Sequence, residues 1–277
     1  MKPIASLLSL ALLTGIAAAG QQLGAERARL YNTAKQKLLD GKQIFSYSIY
    51  KLDPDLYCQA AQHYDFIWFE MQHSTMSWAD IEKMIAACPR VGIPMVRLPD
   101  EFESTIQKAT DIGVLGVIEP TVDTVEKAQA VVRYSKYPFE GRRSRGNAQA
   151  TTIWGPNYRE TANDNMLVVV MIETPVGVAN AYDIARVQGV DVVIAANNDL
   201  GNFSGYDQGS PQYEELVNKI HDATLKAGKI FGVTDYAYAM KRKDAADIRF
   251  FQGGPSSDGW QPPARAGRGG RGGRGGQ

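Results

Sequence analysis

The apolar run Phe66-Ile67-Trp68-Phe69 ends in a carboxylate, an amide and an imidazole: Glu70, Gln72 and His73. The pattern recurs along the chain. Arg97 sits in "IPMVRL", Glu119 in "GVIEP", Glu173 closes "MLVVVMIET", and Asp199 follows "VDVVIAA". A short apolar run bounded by polar residues reads as a buried strand, so these groups stand at strand ends. Glu173 and Asp199 are the chemical centre of the set. Two carboxylates brought together from neighbouring strands repel, and a hard divalent cation such as Mg²⁺ or Mn²⁺ relieves that repulsion. The competing explanation is that each caps a following helix, since "ETPVG" and "NDLG" are both reasonable helix starts. Arg97 among apolar residues calls for an anion, either a substrate oxygen or a structural carboxylate. His73 beside a metal and an arginine would be a usable proton carrier. His63 and His221 read as helical and non-catalytic.

The elements that must position these groups alternate. Apolar β-rich runs at 44–50, 66–71, 93–98, 116–120, 166–174, 190–196, 229–234 and 248–254 are separated by amphipathic stretches such as "SWADIEKMIAAC" and "QYEELVNKIHDATLKAG". Strand–helix alternation predicts parallel strands with right-handed crossovers. Eight such strands predict a (β/α)8 TIM barrel, with a doubly wound open sheet as the alternative. In a barrel the site lies where strands end, so the polar strand ends would converge. A polar insertion at 140–165 reads as a functional lid or mobile segment. Where an eighth helix is due, the chain becomes rich in Gly, Pro and Arg, so that helix should be shortened or missing and residues 259–277 a disordered tail.

Composition narrows the partners. With 30 basic and 30 acidic residues the net charge is zero, which gives no reason to expect nucleic acid, and the Arg-Gly tail does not change that. Residues 1–20 have the basic start, apolar stretch and small-residue end of a signal peptide. The expectation is therefore an exported protein, periplasmic or secreted, with a barrel over 21–258 and no membrane span after cleavage. The two cysteines, Cys58 and Cys88, form no disulfide framework and read as buried on helices; whether they pair stays open.

Six segments in register, "FEMQHS", "PMVRLP", "ATDIG", "YPFEGRRSRG", "VVMIET" and "NNDLG", resemble the class II, metal-dependent pyruvate aldolases of the HpcH/HpaI type, in the phosphoenolpyruvate/pyruvate barrel superfamily. The resemblance covers about residues 44 to 254. It implies metal ligands at Glu173 and Asp199, with Mg²⁺ or Mn²⁺ bound and Co²⁺ possible. It implies a substrate-binding arginine at Arg97 and a catalytic histidine at His73 oriented by Asp111. It further implies substrate contacts from Gln72, from the Ala196-Asn197-Asn198 turn, and from Arg142, Arg143 or Arg145 to an anionic tail. Glu70 and Glu119 would stand behind the metal site. The implied reaction is reversible cleavage of a 4-hydroxy-2-oxo acid to pyruvate, or a related 2-oxo acid, and an aldehyde, in a homo-oligomer. Glu70 and Gln72 stand where the family has Asp-Gly-Glu before the histidine, and Met171 replaces a glutamine. These departures keep two alternatives open: citrate-lyase-like or macrophomate-synthase-like enolate chemistry on another electrophile, or a non-catalytic exported oxo-acid-binding protein.

Overall fold

The computed structural model describes residues 30–146 and 148–263. The signal-like segment and the Arg-Gly repeats beyond residue 263 lie outside the described residues. Eight parallel strands close on themselves in sequence order: β1 (Ile44–Ile49), β2 (Phe66–Glu70), β3 (Ile93–Arg97), β4 (Gly116–Glu119), β5 (Leu167–Ile172), β6 (Val192–Ala195), β7 (Ile230–Val233) and β8 (Ile248–Phe251). This is the (β/α)8 barrel, and the open-sheet alternative falls.

The strands are almost wholly apolar because each is covered on both sides, by side chains inside and helices outside. Directly paired residues of parallel strands face the same way, so the register Glu70–Arg97–Ile118–Val169 puts Glu70 and Arg97 on the inner face. By the same alternation Glu119, paired with Val170, faces outward. The interior is filled by rings such as Phe66 and Trp68, both within ring contact of Phe250. Gly116 is required there, since a Cβ would stand 2.6 Å from Met95 Cγ.

Helices run back along the outside. These include α2 (Pro54–Ala60), α3 (Trp78–Ala87), α4 (Glu103–Asp111), α5 (Val125–Ser135), α10 (Asn197–Ser204) and the long α11 (Pro211–Lys226). Their starts are legible: Ser77 and Asp80 form a capping box on α3, and Ser210 caps α11 ahead of Pro211. The stretch after β5 is broken into α8 (Pro175–Ala179) and α9 (Ala181–Ala185), and the helix expected after β7 is only α12 (Tyr236–Ala239). A helix ahead of the barrel, α1 (Thr33–Leu39), plugs the end where strands begin. Its cap residue Asn32 donates to the carbonyls of Leu115 and Asn165, and Lys35 Nζ donates to that of Met166.

Two expectations are corrected, and one question the sequence left open is answered. The insertion at 140–165 is not a lid: it forms α6 (Ala148–Trp154) and α7 (Tyr158–Asn165) at the strand-start end, where Gln149 and Trp154 donate to the carbonyls of Ile112 and Gly113. The segment after β8 is ordered without a helix as far as residue 263. Trp260 stacks on His63 at 4.9 Å with an interplanar angle of 7°, and Ser257 N donates to the His63 carbonyl. A large aromatic surface buried this way holds a chain segment that has no helix of its own. Finally, Cys58 and Cys88 form a disulfide between α2 and the end of α3.

Candidate active site

At the ends of the strands lies a cavity of about 460 Å³. Arg97, His73, Met171 and Asp199 line one part of its wall, with Ala196 and Asn198 beside them; Ser48, Tyr50, Thr234 and Gln252 line the rest.

Glu70 organises the β2 and β3 side. It is fully buried, and its two oxygens accept four hydrogen bonds: from Trp68 Nε1 at 3.1 Å, Arg97 Nε at 2.7 Å, and the backbone amides of Gln72 and His73 at 2.9 and 3.0 Å. Ser74 Oγ in turn donates to the Glu70 carbonyl. A buried carboxylate tolerates its burial only when paired and hydrogen-bonded, and this one is saturated. One side chain thus sets both the Arg97 guanidinium, which also lies over the Trp68 ring, and the turn that carries His73. Only the Nε of Arg97 is spent on Glu70, which leaves the terminal nitrogens for an anion in the cavity. His73 itself is exposed, and no side-chain partner holds its ring among the described residues.

Glu173 is buried just past β5, beside the cavity rather than in its wall. Thr121 Oγ1 donates to its Oε2 at 2.8 Å, while Oε1 is buried with no partner among the described residues. Burial pushes its carboxyl up; the Thr121 bond opposes this, the Asp199 charge adds to it and Arg97 pulls it down. Asp199 lies in the first turn of α10. An orphaned buried oxygen within the electrostatic reach of a second carboxylate is the donor set a hard divalent cation fits. No group of three or more His, Cys, Asp or Glu suited to a metal occurs among the described residues. The two carboxylates would therefore leave positions for water and substrate oxygens.

The remaining sequence candidates lie elsewhere. α4 runs opposite to the strands, so Asp111 at its far end is at the strand-start end of the barrel and is not brought to His73 within one chain. There its Oδ1 accepts from Arg143 Nη2 at 3.0 Å and its Oδ2 from Gln107. Arg143 is buried between the rings of Tyr137 and Tyr158, with Nη1 donating to the Tyr158 hydroxyl. Arg142 pairs with Glu103 on the outer flank and Arg145 is exposed on the same loop, so neither reaches the cavity. Asn197 is structural: its Oδ1 accepts from the backbone amides of Thr234 and Asp235 and its Nδ2 donates to Tyr213. Gln72 stands outside the cavity wall, with its side-chain oxygen buried and unpaired among the described residues. Glu119 faces the helices, 3.2 Å from Lys127 Nζ, in an ion pair that lacks the direction of a hydrogen bond. Burial outweighs that pairing and pushes its carboxyl up to about 8.

Sequence reasoning missed Ser48, Tyr50, Thr234 and Gln252. The signal was present, because each closes or nearly closes one of the apolar runs read as strands one, seven and eight.

Fold and site together define a (β/α)8 barrel with a buried carboxylate, a second, half-buried one, an anion-directed arginine and an exposed histidine at its strand ends. The chain belongs to the HpcH/HpaI aldolase/citrate lyase family, whose model matches residues 54–251. It is 32% identical over 180 residues to a hydroxypyruvate/pyruvate aldolase of Delftia acidovorans, covering 63% of this chain and 67% of that one. It is 30% identical over 190 residues to a 2-keto-3-deoxy-L-rhamnonate aldolase of Salmonella gallinarum, covering 66% and 71%. The crystal structure of an HpcH/HpaI aldolase from Desulfitobacterium hafniense superposes with a TM-score of 0.72 at 25% identity, covering 79% of this chain and 90% of that one.

Proposed function

We propose that this protein is a metal-dependent carbon–carbon lyase that reversibly cleaves a 4-hydroxy-2-oxo acid into pyruvate, or a related 2-oxo acid, and an aldehyde. Relatives named as aldolases for hydroxypyruvate/pyruvate and 2-keto-3-deoxy-L-rhamnonate support the class. The observation that carries the reading is Glu173, a buried carboxylate with one oxygen unpartnered among the described residues, close enough to Asp199 and Arg97 to feel both charges. Glu173 and Asp199 would hold the metal, Mg²⁺ or Mn²⁺ in this reading, and a bound divalent cation supplies Lewis-acid stabilisation of an enolate.

The chain's own residues do the rest. In cleavage the C3–C4 bond breaks, its electron pair passes into the pyruvate enolate, and the C4 hydroxyl becomes the aldehyde as it loses its proton. His73, on a turn anchored by Glu70, is the group exposed to receive that proton. Arg97 directs its terminal nitrogens at the developing oxyanion and is already oriented, so little reorganisation is needed as charge builds. Protonation of C3 then completes pyruvate.

Exchange of the pyruvate methyl protons in heavy water, followed by NMR, tests this without knowing the aldehyde. Exchange should depend on added Mg²⁺ or Mn²⁺, stop with chelator and stop in Glu173→Ala. Metal-independent exchange, or none with metal bound, would refute the reading.

The signal-like N-terminus further leads us to read the protein as exported, periplasmic or secreted, and the Cys58–Cys88 disulfide supports this, because such bonds persist in oxidising compartments. Fractionation with N-terminal sequencing tests it, and a cytoplasmic chain that retains residues 1–20 would end it. A homo-oligomer is proposed with the family assignment and is read by light scattering.

A further inference from the structure

The half of the cavity opposite Arg97 and His73 has no part in the chemistry above, yet it is not apolar. Inner-face residues at the ends of β1, β7 and β8 supply Ser48, Tyr50, Thr234 and Gln252. The Thr234 hydroxyl is engaged with Asn197. The others are nearly free: Gln252 Nε2 reaches Ser48 Oγ only at 3.5 Å, the outer limit of a hydrogen bond, and Gln252 Oε1 has no partner among the described residues. Tyr50 is 44% exposed at the mouth, and its hydroxyl has no partner among the described residues. Apart from Arg97, no arginine or lysine among the described residues lines the cavity, and Arg142 and Arg145 lie on the outer flank.

We infer that Ser48, Gln252 and Tyr50 form the acceptor subsite and select a neutral, hydroxylated aldehyde over both an apolar aldehyde and one that carries a carboxylate. The inference rests on the aldolase reading and names the substrate class for the same site. A hydroxyl on the aldehyde chain can donate to Gln252 Oε1 and accept from Ser48 Oγ–H or Tyr50 Oη–H. An apolar chain would leave those groups dry and unpaired, the situation in which a polar site discriminates most. A carboxylate tail would meet no cation on this side.

The test measures kcat/KM in the condensation direction with pyruvate and three aldehydes: glyceraldehyde, propanal (the same carbon count without hydroxyls) and succinic semialdehyde. The unmodified protein should favour glyceraldehyde over each of the others by roughly tenfold or more, the scale of one or two neutral hydrogen bonds. Ser48→Ala combined with Gln252→Met should shrink the glyceraldehyde-to-propanal ratio by about the same factor. Gln252→Lys should raise the semialdehyde-to-glyceraldehyde ratio, a gain that a misfolded variant cannot produce. Equal use of all three aldehydes, a preference for the semialdehyde, or ratios unmoved in both variants would overturn the subsite. Pyruvate methyl exchange in the unmodified protein separates the two levels. Exchange with no aldehyde discrimination sinks the subsite alone, whereas its absence sinks the aldolase reading and the subsite with it.

Discussion

The disulfide offers a prediction whose size follows from chain geometry. Cys58 and Cys88 are the chain's two cysteines, and their bond closes a loop over a sequence separation of 30. Inside that loop lie β2, the Glu70–His73 turn and α3. Replacing both cysteines by alanine frees the unfolded chain to explore conformations that the cross-link forbids. For a loop of this length the chain-entropy relation gives about 3.6 kcal/mol at 25 °C. Urea unfolding followed by circular dichroism should show a midpoint lowered by about 1–2 M at the denaturant sensitivity usual for a domain of this size. Reductant should shift the parent by the same amount and leave the variant unmoved. Denatured, non-reduced protein should titrate no free thiol. Two titratable thiols, or equal midpoints in parent and variant with reductant inert on both, would refute the reasoning.

Three further predictions follow from the same contacts. Glu70→Gln removes the charge that Arg97 is paired with inside the barrel, and should cost about 3–5 kcal/mol in urea unfolding, the cost of stranding a buried charge; it should also slow pyruvate methyl exchange, because the His73 turn loses its anchor. Glu119 is held up at about 8 by burial, against a usual 4.5. The folded state therefore binds more protons than the unfolded one between those values, and stability should fall as pH rises through the window, by up to ~1.4 kcal/mol per unit. Glu119→Gln should flatten that dependence in unfolding midpoints taken from pH 5 to 8, and an unchanged slope would count against it. Trp260→Ala removes the ring stacked on His63 and should open the segment after Gly254 to limited proteolysis at a cost of about 2–3 kcal/mol; protection equal to the parent's would show that other contacts hold the segment.

What the sequence determined by itself is what local pattern controls. Eight apolar runs with helical spacing between them demand parallel strands covered on both faces, and the barrel follows. Polar residues that close such runs must gather at one end of it, so Arg97, His73 and Asp199 at the cavity and Glu173 beside it were legible before any coordinates. Tertiary structure decided which way each polar residue faces and which end of the barrel it joins. Glu70 and Glu119 both end strands, yet register turns one inward to Arg97 and the other outward to Lys127. Asp111 follows the site in sequence by one helix, and because that helix runs opposite to the strands it ends at the far side of the barrel with Arg143. The pairing of Cys58 with Cys88 depended likewise on two helix ends meeting, with Cα atoms 5.5 Å apart. Alternation within a strand is periodic and short-ranged, so sequence carries it, but which of the two faces turns inward is not local. The meeting of groups remote along the chain is set by closure of the whole barrel, which no local window contains.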